Sequence, residues 1–79
     1  MGIHKSAREH DVADEDIEHA VANAMVIETQ DNDARLCLGP ARDAPLLEVV
    51  TIMREDGSEL AIHAMTMAKY GRLLPEDHD

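Results

Sequence analysis

The sequence predicts an α+β fold: N-terminal helices packed on a three-stranded antiparallel β-meander, with a short C-terminal helix. Two observations carry this. Ile17, Ala20, Val21, Ala24 and Met25 recur at helical spacing, the period of an amphipathic helix. Further along, apolar runs at 35–38, 46–53 and 59–65 are separated by Gly, Pro, Asp and Ser clusters, the punctuation of short strands.

Each element has its own local reason. Lys5 to His10 is short and mixed and suits a single helical turn. The main helix is expected over Asp14 to Met25, because Asp14, Glu15 and Asp16 fill its first turn, where the helix dipole favours acids. Val12 is placed to pack just outside its start. Gln30-Asp31-Asn32-Asp33 is a turn signal. Arg35 to Leu38 then reads as a strand stopped by Gly39-Pro40. Leu46–Met53 and Glu59–Met65 flank Glu55-Asp56-Gly57-Ser58 as a hairpin. Met67 to Leu74 is expected to be helical, ended by Pro75, with 75–79 a charged tail.

At 79 residues the chain has room for one small domain, spanning 1–79. Phe and Trp are absent and Tyr70 is the only aromatic, so the core is aliphatic. A core of that kind supplies limited stability, and a partner chain or self-association is expected to add to it. Cys37 is the only cysteine, which excludes an internal disulfide; between two leucines in a strand it is expected to be buried and inert. No stretch reaches the roughly 20 apolar residues of a membrane span, and a reducing, cytoplasmic setting is expected.

Net charge is −10, unevenly spread. From Glu9 to Asp33 there are nine acids and no Lys or Arg, whereas Ala34 to Pro75 holds five acids and five bases. Attraction of the whole surface to nucleic acid is thereby excluded, while a local basic patch in the second half stays open. The acidic half can dock a basic partner or simply keep the protein soluble.

The hairpin turn decides whether the chain has a site. With Asp56-Gly57 as the two central turn residues, Arg54 faces Glu59 as a cross-strand ion pair and His63 faces Val50. Glu48 is then a diagonal neighbour of His63 on one face, within reach of a long side chain. A three-residue loop would put Glu48 and His63 on opposite faces. Together they form either a hydrogen-bonded pair that ties the sheet or the acid–base part of a site.

The order Ile3-His4-Lys5-Ser6-Ala7, the acid-capped helix, Leu38-Gly39-Pro40, Leu46-Leu47-Glu48-Val49-Val50, and Ile62-His63-Ala64-Met65 with Lys69-Tyr70 resembles BrnT-like toxins of bacterial type II toxin–antitoxin systems. These belong to the RelE/ParE-like superfamily. The resemblance implies a curved antiparallel sheet, endoribonuclease activity, and a cognate antitoxin that blocks it. It also implies RNA cleavage through the 2′-hydroxyl without a metal or other cofactor.

Such cleavage needs a base, an acid and cations on the phosphate. His63, Glu48, Lys69 and Tyr70 are the catalytic candidates. His63 can act as acid or base, Glu48 can orient it, Lys69 can hold the phosphate and Tyr70 can stack or donate a proton. Lys5, Arg8, His4, His10 and Arg72 are the substrate-binding candidates. The five histidines show no His-x-x-x-His or comparable metal spacing, so no metal site is expected. His19 lies among acids opposite the apolar stripe and reads as a solvated surface residue. The competing reading, of a different class, is a non-catalytic acidic protein-binding module whose helix face recruits a basic partner.

Overall fold

A computed structural model of the chain describes residues 1–67. Its elements, in order, are β1 (Gly2–Ile3), a 3₁₀ turn (Lys5–Arg8), α1 (Asp14–Ala22), β2 (Val26–Thr29), a turn at Asp31–Asp33, β3 (Ala34–Pro40), β4 (Leu46–Met53) and β5 (Glu59–Thr66). The α+β class is as expected, but the three-stranded antiparallel meander is corrected to a five-stranded mixed sheet of order β1-β5-β4-β3-β2. The pairs β2/β3, β3/β4 and β4/β5 are antiparallel, and β1 pairs parallel to β5. The expected terminal helix over 67–74 and the tail lie outside the described residues, apart from Met67. Among the described residues no helix is long and apolar enough to cross a membrane.

Helix α1 is three residues shorter than its apolar stripe suggested. Asn23 stops it, its backbone N–H donating to His19 O and its side-chain amide to the same carbonyl. The chain then turns at once into β2, so Met25 belongs to the strand entry rather than to the helix face. Short β2 escapes detection because all four of its residues are exposed, leaving no buried/exposed alternation to read.

The core lies between α1, the 3₁₀ turn and one face of the sheet. Ala7, Ile17, Ala20, Cys37, Leu47, Val49, Ala61 and Ala64 form it, and Val12 packs against it as expected. Many of these are alanines, which lets the helix approach closely. At Gly39 the approach is closest: a Cβ there would meet the Ala20 carbonyl oxygen at 2.1 Å. Cys37 is fully buried, and burial pushes its thiol up, which fits an inert core side chain.

His19 is corrected from a solvated residue to a half-buried one: its Nδ1–H donates to the Pro40 carbonyl at 2.8 Å, pinning α1 to the end of β3. The expected Arg54–Glu59 pair is also absent. Arg54 Nε donates to Ser58 Oγ at 2.8 Å. Glu59 instead accepts from Arg35 and from the Thr51 hydroxyl, tying β3, β4 and β5 together near one end of the sheet.

Candidate functional site

The β4–β5 hairpin closes differently from expectation, yet delivers the expected register where it matters. Arg54 N–H donates to Ser58 O at 2.7 Å, so the loop proper is the three residues Glu55, Asp56 and Gly57. Gly57, at φ 87°, occupies the left-handed position that such a loop requires. The register leaving the turn pairs Met53 with Glu59 and Thr51 with Ala61. Continued unbroken, it would carry Glu48 and His63 to opposite faces.

A β-bulge prevents that. The register shifts between Val50 and Thr51, with Ile62 as the extra residue on β5, and beyond it Val50 pairs with His63 and Glu48 with Met65. One inserted residue cancels the one-residue change made by the loop. The bulge is held from outside the sheet, where the Ser6 hydroxyl donates to the Ile62 carbonyl at 2.6 Å. The 3₁₀ turn that carries Ser6 is in turn capped by His4, whose Nδ1 accepts from Ser6 N–H at 3.1 Å.

Glu48 and His63 therefore share the face of the sheet away from α1. His63 Nε2 donates to Glu48 Oε2 at 3.0 Å, and each side chain is one-third exposed. With Nε2 engaged, Nδ1 is the nitrogen left to take up a proton. His10, in the loop after the 3₁₀ turn, sets its ring edge-on to His63, with centroids 5.7 Å apart and planes at 73°. The two imidazoles and the carboxylate form one cluster, drawn from β4, β5 and the N-terminal segment.

Other candidates divide sharply. Arg8 is engaged by Asp14 through two hydrogen bonds, of 2.9 and 2.8 Å, which hold its guanidinium pKa up and the Asp14 carboxyl below its ordinary value. His4 is committed to capping, and Lys5 is exposed on the same turn. Lys69, Tyr70 and Arg72 lie outside the described residues. On the far side of His10 opens a cleft of about 260 Å³ lined by His10, Asp11, Asp16, Asp43 and the apolar Val12 and Leu47. Its Asp16 accepts from Arg42 Nε and backbone N–H, which lower its carboxyl pKa.

The residues that sequence reasoning missed are Ile62 and Ser6. A bulge has no composition of its own, and Ser6 acts on a carbonyl 56 positions away along the chain. His10 is a candidate from the sequence, but its place beside His63 is not foreseen, since an exposed loop histidine gives no sign of which strand it will meet. Among the described residues no group of three or more His, Cys, Asp or Glu side chains is arranged to hold a metal ion. No known family model, curated protein or solved structure matches the chain.

Proposed function

We propose that this chain is a toxin-like RNA-cleaving protein of a type II toxin–antitoxin system, with a RelE/ParE-like fold and a cognate antitoxin as its partner. The observation that supports the reading is the cluster of His63, Glu48 and His10: a carboxylate-oriented imidazole with a second imidazole 5.7 Å from it. Cleavage through the 2′-hydroxyl uses both rings. His63 Nδ1 takes the 2′-hydroxyl proton as that oxygen attacks the adjacent phosphorus. The bond from phosphorus to the 5′-oxygen breaks, and His10 in its protonated form gives that oxygen a proton. The products are a 2′,3′-cyclic phosphate and a free 5′-hydroxyl. Glu48 is a positioning residue that keeps Nε2 protonated and Nδ1 free. Lys5, and by resemblance Lys69, Tyr70 and Arg72, serve the phosphate and base.

The test is incubation of the purified chain with an RNA oligonucleotide in the presence of a chelator. Cyclic-phosphate ends are expected, reduced by a factor of ~10²–10⁴ in His63→Ala, the usual worth of a positioned acid or base. No cleavage by the wild type, or equal cleavage by His63→Ala, overturns the reading.

A second reading, the non-catalytic acidic binding module, is favoured by a specific observation: Arg8, Arg35 and Arg42 are each taken up by a carboxylate. Among the described residues that leaves little cationic charge to hold a phosphate, and the exposed Glu15 and Glu18 give α1 an acidic outer face. Under this reading, reversing the charges of Glu15 and Glu18 weakens capture of a basic partner and His63→Ala does not.

A further inference from the structure

Sheets have two ends, and this one treats them differently. At one end β1 is only two residues long and is followed at once by the 3₁₀ turn that packs on β5. At the other, β2 is an edge, with no neighbour on its outer side among the described residues. Met25, Val26 and Ile27 there are 66, 42 and 53 % exposed. Edge strands are normally blunted by lysine, proline, a bulge or a covering element. Strand β2 holds neither lysine nor proline, and its register with β3 is unbroken from Val26 to Thr29.

Its main chain is available as well. Gln30 N–H donates to Ala34 O at 2.6 Å. Counting back along the antiparallel ladder, Glu28 and Val26 face β3, and the N–H and C=O groups of Ile27 and Thr29 face outward. Side chains alternate across the same strand. Ile27, paired with Cys37, lies on the face that α1 covers further in, while Val26 and Glu28 lie on the face of Glu48 and His63. The end of β2 leads into Asp31 and Asp33, and the chain as a whole carries −10.

We propose that β2 is a docking edge for an extended segment of a basic partner protein, which adds to the sheet as a sixth strand. Main-chain bonds to Ile27 and Thr29 hold it, an apolar side chain seats beside Ile27, and a lysine or arginine seats beside Glu28. A second copy of this chain is disfavoured as the occupant, because pairing two such edges brings Glu28, Asp31 and Asp33 of both copies together. The edge concerns partner capture alone and stands whether or not the histidine cluster cleaves RNA.

The experiment is an NMR titration of the full-length ¹⁵N-labelled chain with a short peptide alternating lysine and valine. Amide shifts are expected to change over Met25 to Gln30, and the Ile27 and Thr29 amides to exchange more slowly with solvent. Ile27→Pro removes one outward N–H without touching the bonds to β3 and is expected to abolish these changes. Glu28→Lys is expected to weaken binding by at least about tenfold through the like charge it creates. Circular dichroism of both variants separates lost binding from lost folding, and Glu28→Lys carries the test if Ile27→Pro unfolds. Shift changes confined to Asp14–Glu18, equal binding by a proline-interrupted peptide of the same charge, wild-type binding by both variants, or dimerisation through β2 without peptide would each overturn the proposal.

Discussion

The two faces of the sheet are built on opposite principles. The face under α1 is closed by small side chains, Ala20, Ala61 and Ala64, with Ile17, Leu47 and Val49 filling the remaining volume, all at or near full burial. The face away from α1 carries half-buried Leu36, Leu38, Val50 and Ile52 around the Glu48–His63 pair. Folding free energy is concentrated on the first face, since fully removing apolar area from water contributes about 25 cal/mol per Å². Titratable groups able to meet a ligand are concentrated on the second. The same strands serve both because side chains alternate, and one bulge at Ile62 sets which residues of β5 belong to which face.

The difference is sharpest at Gly39. An added Cβ there meets backbone, the Ala20 carbonyl oxygen at 2.1 Å and the Ala24 Cα at 3.0 Å, so no side-chain rotation relieves the clash. Gly39→Ala is therefore expected to cost about 2–3 kcal/mol, the upper part of the overpacking range. In a domain this small that lowers Tm by roughly 10–20 °C. Leu36→Ala, on the open face, is expected to cost about 1 kcal/mol, since its side chain already keeps part of its water contact. Equal losses in thermal melts of the two variants would erase the distinction between the faces.

How far this division was legible in the sequence depends on which signal each residue carries. Helix α1 and strands β3 to β5 are readable because buried positions recur with the period of their element, as Cys37, Leu47, Val49 and Thr51 do. Strand β2 is not, because all four of its residues are exposed and no alternation of buried and exposed positions marks it. The His63–Val50 pairing was anticipated through a two-residue turn, whereas the chain reaches it by two compensating irregularities, a longer loop and a bulge. His10 beside His63 depends on where a loop comes to rest in three dimensions, which local pattern does not encode.

A second, smaller contrast lies within the polar groups of the covered face. Burial pushes the Glu59 pKa up, but the Arg35 and Thr51 hydrogen bonds together with the Arg35 charge outweigh it, and the carboxyl is held below its ordinary value of 4.5. A carboxyl lowered in the folded state contributes stability above its unfolded pKa and loses it as pH falls through the folded value. Glu59→Gln is thus expected to cost about 1 kcal/mol at neutral pH, an ordinary hydrogen-bond effect reduced by the partial exposure of Arg35. It should also flatten the fall in stability below about pH 4.5. Urea unfolding of both proteins at neutral and acid pH measures the effect, and parallel pH profiles would show that Glu59 is not responsible for the slope.

The smallest effect on folding is expected at Glu48, where the comparison turns from stability to chemistry. Its bond with His63 is one-third exposed at both ends, and pairs of that kind contribute roughly 0–1 kcal/mol. Glu48→Ala should therefore melt within a few degrees of the wild type. The histidine should nonetheless change. While Glu48 accepts from Nε2, the neutral ring is held as the Nε2–H tautomer; without the carboxylate only the imidazole's weaker intrinsic preference remains and the ring can turn away from His10. Ring ¹⁵N shifts of His63 report the tautomer directly, and under the proposed ribonuclease reading RNA cleavage by Glu48→Ala should fall by about tenfold, less than for His63→Ala, because the proposed base would be present but no longer aimed. An unchanged tautomer with unchanged cleavage would make the pair a tie between β4 and β5 only. A large loss of stability would instead place Glu48 with the covered face in energetic terms, and the open face would then share the work of folding.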